Sequence, residues 1–331
     1  MKEAAILGTG SWGTALGVVL ADRGLDVLMY GNNKDCAADI NDNSQNSYYL
    51  PGMDLPKNMS ATVDMKDVAD KPLILLVVPS QVARSVLKQL KEVGIPEETI
   101  ILTCNKGIDP ESGKLMQATV KEFFPENPTA VLAGPSHAEE VASRKATAAV
   151  IGSVDEDLSA KIQEIFTLPY FRTYTSTDVI GIEIGGVVKN IFAIAAGTAD
   201  GLGLGDNSKA ALVTRGLAEM TRLGMAMGGK RETFQGLSGI GDLIVTCYSL
   251  HSRNNRVGRL LGQGKTLQEA IAELNQVAEG VPNAKNAYEL ARKLNVRTPL
   301  IDEAYEVLYK DKPCAQALKE LLSRNPRSEA D

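Results

Sequence analysis

Apolar and polar residues in the first half of the chain alternate between short runs and longer periodic stretches. Residues 4–7, 26–30, 73–78, 99–103, 130–133 and 148–151 are brief aliphatic or β-branched runs bounded by Gly, Pro or polar residues, as buried strands are. Between them, 11–23, 81–93 and 115–124 place apolar residues at helical spacing. This alternation predicts an α/β fold, a mostly parallel, doubly wound sheet with helices on both faces.

After about residue 177 the pattern changes. Residues 182–196, 208–227, 266–274, 284–294 and 300–308 are amphipathic helical stretches, and no strand pattern remains. Glycine-rich breaks separate some of them, notably GTADGLGLGDN (197–207) and GQG (262–264). The expected organisation is a sheet-bearing domain over 1–178 and an all-α domain over 179–331, with a frayed polar tail from 325.

Composition narrows the function classes. The chain has 331 residues, 44% hydrophobic and 23% charged, ordinary for a globular protein with a core. A net charge of −6 and no basic stripe argue against a nucleic-acid partner. The longest strongly apolar run, LILLVV at 73–78, is too short to span a bilayer, so no membrane insertion is expected. The start MKEAAILGTG reaches an apolar strand too soon for a signal peptide. Cys36, Cys104, Cys247 and Cys314 are far apart, and His137 and His251 are the two histidines, so neither a disulfide framework nor a metal is expected. A cytoplasmic location follows as the expectation.

The first strand runs straight into Gly8-x-Gly10-x-x-Gly13 and then a helix. The first glycine permits a tight turn, the second a close approach to a pyrophosphate, and the third close helix–strand packing, with the anion on the helix N-terminus. This context predicts a Rossmann-type dinucleotide site. The second strand ends LMYGNNKD, so the place of an NAD-selecting carboxylate is taken by Tyr30 or Gly31, followed by Asn32, Asn33 and Lys34. That favours NADPH, with NADH as the alternative. Asn32 and Asn33 are candidate cofactor contacts or, equally, plain turn residues.

Ligands of open α/β sheets sit beyond the carboxyl ends of the strands. The residues there are Gly8–Gly13, Pro79-Ser80, Asn105-Lys106-Gly107 and Gly134-Pro135-Ser136, expected to line one crevice. Lys106 suits a negatively charged or carbonyl-bearing substrate; Ser136 reads equally as the cap of a helix starting at His137. A second cation, Lys189, stands in the apolar stretch GIEIGGVVKNIFAIAAG (181–197). Its helical neighbours at i−4, i−3, i+3 and i+4 are Gly185, Gly186, Phe192 and Ala193, so no ion-pair partner lies on its helix and the glycines leave space on its face. A lysine in a dry setting suits proton transfer, whereas a snorkelling lysine would reach water. GIGDLIVTCYSLHSRNNRVG adds Asp242 and Thr246 on one helix face, then Ser252, Arg253 and Asn254, groups suited to a phosphate or carboxylate.

At these residues the chain resembles the bacterial NAD(P)-dependent glycerol-3-phosphate dehydrogenases. The resemblance rests on GTGSWGTAL (8–16), YLPG (49–52), NKGI (105–108), GPSHAEEVA (134–142), EIGGVVKNIFAIAAG (183–197), NSKAALVTRGLAEM (207–220), GIGDLIVTC (239–247) and SRNNRVG (252–258), in that order over nearly the whole length. It implies reduction of dihydroxyacetone phosphate to sn-glycerol 3-phosphate, the phospholipid backbone precursor, with a helical domain of the 6-phosphogluconate dehydrogenase-like type. It carries the proton-transferring role to Lys189 and its paired carboxylate to Asp242. Implied substrate contacts are Lys106, Gly134, Ser136, Asn190, Thr246, Ser252, Arg253 and Asn254. Implied cofactor contacts, besides the glycines, are Ser11, Trp12, Asn32, Tyr49, Lys106, Ala138, Arg253, Val277 and Glu279. A homodimer is implied as well.

The chain departs from the family pattern in two places: His137 follows GPS where a hydrophobic residue is frequent, and Asn32 and Asn33 stand where His or Arg is common at one or the other. The nearest rivals, β-hydroxyacid and 6-phosphogluconate dehydrogenases, space their lysine and asparagine as K-x-x-N, whereas here Lys189 and Asn190 are adjacent. A non-catalytic NADP-sensing module would be expected to have lost Lys189 or Asp242.

Overall fold

The computed structural model describes residues 1–274, 277–326, 328 and 329. The expected frayed tail therefore falls partly, at 327, 330 and 331, outside the described residues. Strands β1 (Glu3–Leu7), β2 (Asp26–Tyr30), β3 (Met59–Thr62), β4 (Leu73–Leu76), β5 (Ile100–Thr103), β6 (Thr129–Ala133), β7 (Thr147–Gly152) and β8 (Phe171–Ser176) form one sheet of order β3-β2-β1-β4-β5-β6-β7-β8. β1 to β6 pair in parallel; β7 runs antiparallel to β6 and parallel to β8.

β1 shows why the central strands read as continuous apolar runs. Ala4 and Ile6 enter the core on one face, with α1 (Ser11–Asp22) and α2 (Lys34–Asn43), while Ala5 and Leu7 enter the other, with α3 (Ser80–Val93) and α4 (Met116–Phe123). Both faces are covered, so both residue parities must be apolar. The pattern missed β3 and β8, the two edges. Their burial alternates along MSAT and FRTYTS because an edge strand buries less, and polar residues there blunt strand addition. The first half is completed by α5 (Ala138–Ala142) and α6 (Glu156–Phe166).

The rest is helical: α7 (Val179–Gly201), α8 (Gly205–Ala226), α9 (Arg231–Phe234), α10 (Asp242–Tyr248), α11 (Arg253–Gly262), α12 (Leu267–Leu274), α13 (Gly280–Lys293), α14 (Pro299–Tyr309) and α15 (Cys314–Leu322), plus a π-helical turn at Leu237–Gly241. By internal contacts the chain forms two compact units, one of residues 1–186 with 229–242 and one of 187–228 with 243–331. The expected division at 178/179 coincides with the start of α7, but the first two turns of that helix pack with the sheet. Val179 and Ile182 share a cluster with Val131, Ala133 and Val150. Glu183 Oε1 accepts the Gln117 N–H at 2.9 Å in the first turn of α4. Asp178 ties in the returning segment, accepting from Thr233 Oγ1 at 2.5 Å and Lys230 N at 2.8 Å.

α7, 23 residues long, contains a window of mean hydropathy 1.7, long and apolar enough to cross a membrane, but 89% of that window is buried within the protein, as in a core helix. The glycine-rich break expected at 197–207 is instead mostly helix, since only Leu202–Leu204 separate α7 from α8. The glycines serve packing. A methyl on Gly197 or Gly201 would overlap the backbone of Asn255 or Arg259 on α11, and one on Gly258 or Gly262 would overlap that of Ile194 or Thr198 on α7. Two G-x-x-x-G faces thus bring the helices together backbone to backbone.

Gly258→Ala is expected to force these helices apart, at a cost of about 1–3 kcal/mol typical of overpacking, and to lower the melting temperature by several degrees; an unchanged melting curve would mean the contact is slack. A second expectation concerns pH. Burial raises the Glu183 carboxyl to about 7, so between about pH 4.5 and 7 the folded protein holds a proton that the unfolded chain releases. Stability from this group therefore falls as pH rises through that window. Glu183→Gln keeps an acceptor for Gln117 and removes the titration, so its melting temperature relative to wild type should be higher at pH 8 than at pH 5.

Candidate active site

The glycine loop has the form its spacing predicts. Gly8 sits at φ +125°, and a Cβ there would lie 3.2 Å from Val77 and Val78 at the end of β4. A Cβ on Gly13 would overlap the Gly8 carbonyl, so α1 starts hard against the turn. Gly10 caps α1 without a side-chain bond, nothing lies within 4 Å of a Cβ placed on it, and the first turn of α1 carries no acidic residue. The helix N-terminus is thus open at Gly10, with N–H groups and a positive dipole end available to an anion. Ser11 and Trp12 are half-buried on its first turn, and Trp12 Nε1 donates to the Cys104 carbonyl at 3.1 Å, tying α1 to the end of β5.

Sequence reading missed the residue that holds this loop. Asn46, fully buried, donates through Nδ2 to the Thr9 carbonyl and to Thr14 Oγ1, both at 2.8 Å, while its Oδ1 accepts the Tyr49 N–H at 3.2 Å. One asparagine in the polar stretch NDNSQNSYY carries no signal that would single it out. Tyr49 packs half-buried on the core beside it. At the end of β2, Asn32 is exposed, whereas Asn33 caps α2, its Oδ1 accepting from Asp35 N and Cys36 N. The turn-residue alternative thus describes Asn33 Oδ1, leaving its Nδ2 as the donor for a ligand.

The four strand-end loops of the first unit are joined to one another. Besides the Gly8 and Trp12 contacts, Asn105 Nδ2 donates to the Val78 carbonyl at 3.3 Å, and Lys106 Nζ reaches the Gly134 carbonyl at 3.2 Å. Lys106 Nζ also pairs with Asp242 Oδ2 at 2.8 Å. Asp242 is 1% exposed, and a carboxylate so buried requires such a partner. Ser136 does not cap α5, whose N-cap is His137 without a side-chain bond; its hydroxyl turns back to the Gly134 carbonyl at 2.9 Å. Gly134 lies at φ +148°, and a Cβ there would come within 2.9 Å of Ala149 Cα. Ala138 is buried at the start of α5. Asp109, three residues past Lys106, anchors the loop through Arg84 at 2.6 Å and was also not anticipated.

The glycines before Lys189 are filled rather than open. A methyl on Gly185 would overlap the Ser238 carbonyl of the π turn that delivers Asp242, and one on Gly186 would meet the stem of Lys106 at 3.3 Å. Such π turns recur at functional positions.

In the second unit, Lys189 is 5% exposed and its Nζ donates to Thr246 Oγ1 at 2.8 Å, so it does not snorkel. Thr246 stands one turn after Asp242 on α10. Asn190 Oδ1 accepts from Asn254 Nδ2 at 2.9 Å, and Asn254 Oδ1 accepts the Gly280 N–H at 2.9 Å. SRNN is a helix start: Ser252 caps α11, accepting from Asn255 N at 3.2 Å, and Arg253 is half-buried on the first turn. Val277 is exposed and Glu279 half-buried just before α13. A separate apolar cavity of about 580 Å³ among α7, α8, α14 and α15 contains none of these residues.

A glycine loop opening a helix at the carboxyl end of an interior parallel strand, followed by an all-helical part, is the arrangement of a Rossmann-class dinucleotide-binding protein. Family models for the N-terminus and the C-terminus of NAD-dependent glycerol-3-phosphate dehydrogenase match residues 3–159 and 178–319. A glycerol-3-phosphate dehydrogenase [NAD(P)+] of Fusobacterium nucleatum is 46% identical over 332 residues, covering 99% of each chain. One from Clostridium tetani is 44% identical, covering 99% of this chain and 94% of that protein. The crystal structure of the Coxiella burnetii glycerol-3-phosphate dehydrogenase superposes with a TM-score of 0.93 at 39% identity, covering 98% and 99% of the two chains. The chain belongs to the NAD(P)-dependent glycerol-3-phosphate dehydrogenase family.

The two glycines separate folding from binding. Gly10→Ala should leave the melting temperature unchanged yet weaken NAD(P)H binding at least tenfold, because its methyl enters the cradle; Gly13→Ala should lower both. Equal melting losses in the two variants would contradict the geometry.

Proposed function

We propose that the chain reduces dihydroxyacetone phosphate to sn-glycerol 3-phosphate, reversibly, with Lys189 as the proton donor. The observation that carries this role is a buried ammonium, fixed by the Thr246 hydroxyl, among the buried apolar residues Val187, Val188, Ile191 and Phe192 of its helix. The bound NAD(P)H supplies a hydride from nicotinamide C4 to the ketone carbon. Lys189 polarises the carbonyl oxygen and gives it a proton, and takes that proton back in the reverse direction. Asp242 serves as the carboxylate that orients the proton-donating lysine; its burial and its pairing with Lys106 support its being held as the anionic partner of an ammonium. Arg253 and Asn254, with Ser252, hold the phosphate at the start of α11, where the helix dipole and backbone N–H groups favour an anion. Asn190, whose Oδ1 accepts from Asn254, supports them. Lys106, Gly134 and Ser136 complete the substrate contacts.

NADPH is the preferred cofactor in this reading, supported by the end of β2, where Tyr30 and Gly31 stand in place of a carboxylate that would repel a 2′-phosphate and Asn32, Asn33 and Lys34 follow. Ser11, Trp12, Asn33, Tyr49, Lys106, Ala138, Arg253, Val277 and Glu279 are the further proposed cofactor contacts. The product supplies the glycerol backbone of phospholipids, the enzyme works in the cytoplasm, and it does so as a homodimer.

The test is oxidation of NADPH and NADH with dihydroxyacetone phosphate, followed by loss of reduced-nicotinamide absorbance. Wild type should turn over; Lys189→Met should lower kcat by about 10²–10⁴ with cofactor binding intact; Arg253→Ala should chiefly raise the KM for the phosphorylated substrate. Tight NADPH binding without turnover of this substrate would refute the reading.

A further inference from the structure

Asn105 lies two residues past the end of β5, between the loop that binds α1 and the lysine that binds Asp242. Its Nδ2 donates to the Val78 carbonyl beyond β4, which fixes the amide orientation, since the reverse rotamer would set two carbonyl oxygens against each other. The opposite atom, Oδ1, is shielded from solvent and has no hydrogen-bond partner. Buried acceptors in folded proteins are nearly always matched, so an unmatched one held in a fixed orientation at a strand-end crevice is suited to a ligand's donor.

The topology says which ligand. Along the sheet the order is β2-β1-β4-β5, with the expected ribose position at the end of β2 and the anion cradle at β1. A dinucleotide laid across that cradle continues toward β4 and β5, that is, toward Val78 and Asn105. The adjacent Lys106 turns the other way, to Gly134 of the β6 end and to Asp242. Consecutive side chains thereby turn opposite ways: Asn105 toward the end of β4, Lys106 toward the end of β6 and Asp242. The nicotinamide ring bears one strong donor, its carboxamide N–H₂.

We infer that Asn105, through Oδ1, accepts a hydrogen bond from the nicotinamide carboxamide and thereby fixes which face of the ring meets the substrate. The inference deepens the NAD(P) reading of the strand-end crevice and rests on it. Because Trp12 is the single tryptophan of the chain and stands in the glycine loop, its fluorescence reports cofactor binding apart from turnover.

The experiment compares, by Trp12 quenching, the dissociation constants of NADPH and of the reduced 3-acetylpyridine analogue, in which a methyl replaces the amide nitrogen. Wild type should prefer NADPH by about tenfold, the net worth of one hydrogen bond. Asn105→Ala should bring the two constants together, mostly by weakening NADPH. Asn105→Asp, which keeps the shape and an acceptor, should retain a preference, and it serves as the deciding variant if Asn105→Ala does not fold. The inference is overturned if folded Asn105→Ala keeps the wild-type preference. It is equally overturned if that variant instead loses discrimination between dihydroxyacetone phosphate and acetol phosphate, which lacks the hydroxyl, for Oδ1 would then hold the substrate. Failure of wild type to bind either cofactor would remove the NAD(P) reading itself, a distinguishable result.

Discussion

The close contact of α7 with α11 governs the second unit. Four glycines, Gly197 and Gly201 on one helix and Gly258 and Gly262 on the other, let the two backbones touch where any side chain would overlap a carbonyl. Each glycine costs roughly 1 kcal/mol of helix propensity relative to alanine, so the contact must return more than that in packing. What it returns for function is register. Arg253 and Asn254 begin α11 one turn ahead of its first contact glycine, and Lys189 and Asn190 precede the matching glycines on α7. The bonds Asn254–Asn190 and Gly280–Asn254 can form only when the helices sit this close; a Cβ on Gly280 would itself approach the Asn190 carbonyl to 2.6 Å.

Charge burial governs the first unit in the same manner. Asp242 is removed from water, and the penalty is met by Lys106, whose stem lies across Gly186 and whose head also meets the Gly134 carbonyl. Two strand-end loops and the π turn are therefore fixed by one ammonium. Removing Lys106 would take a charge partner from a buried carboxylate, which is strongly destabilising.

The amino-acid pattern made the central strands and the long helices legible, because doubly covered strands and amphipathic helices have distinct periods. It failed where a residue's role depends on a distant partner. The edges β3 and β8 bury too little to stand out. The stretch 197–207 reads as a break because glycine frequency cannot distinguish a loop from a helix packed backbone to backbone. Ser136 and Asn33 show how a cap depends on geometry that the pattern does not carry: the Ser136 hydroxyl bonds to Gly134 instead of capping α5, whereas Asn33 Oδ1 does cap α2. Lys106 and Asp242 were each visible as site candidates, yet their pairing across 136 positions was not. Asn46 and Asp109 gave no signal, since each acts only by holding a loop that carries other candidates.

The central claim is that Lys189 and the start of α11 together hold a phosphorylated ketone. A crystal structure of the protein with NADP⁺ and dihydroxyacetone phosphate, a pair that cannot react, tests it most directly. The account predicts the phosphate on Ser252, Arg253 and the first N–H groups of α11, and the ketone oxygen about 2.6–3.2 Å from Lys189 Nζ. A phosphate seated elsewhere, or a ketone oxygen facing a different proton donor, would contradict it.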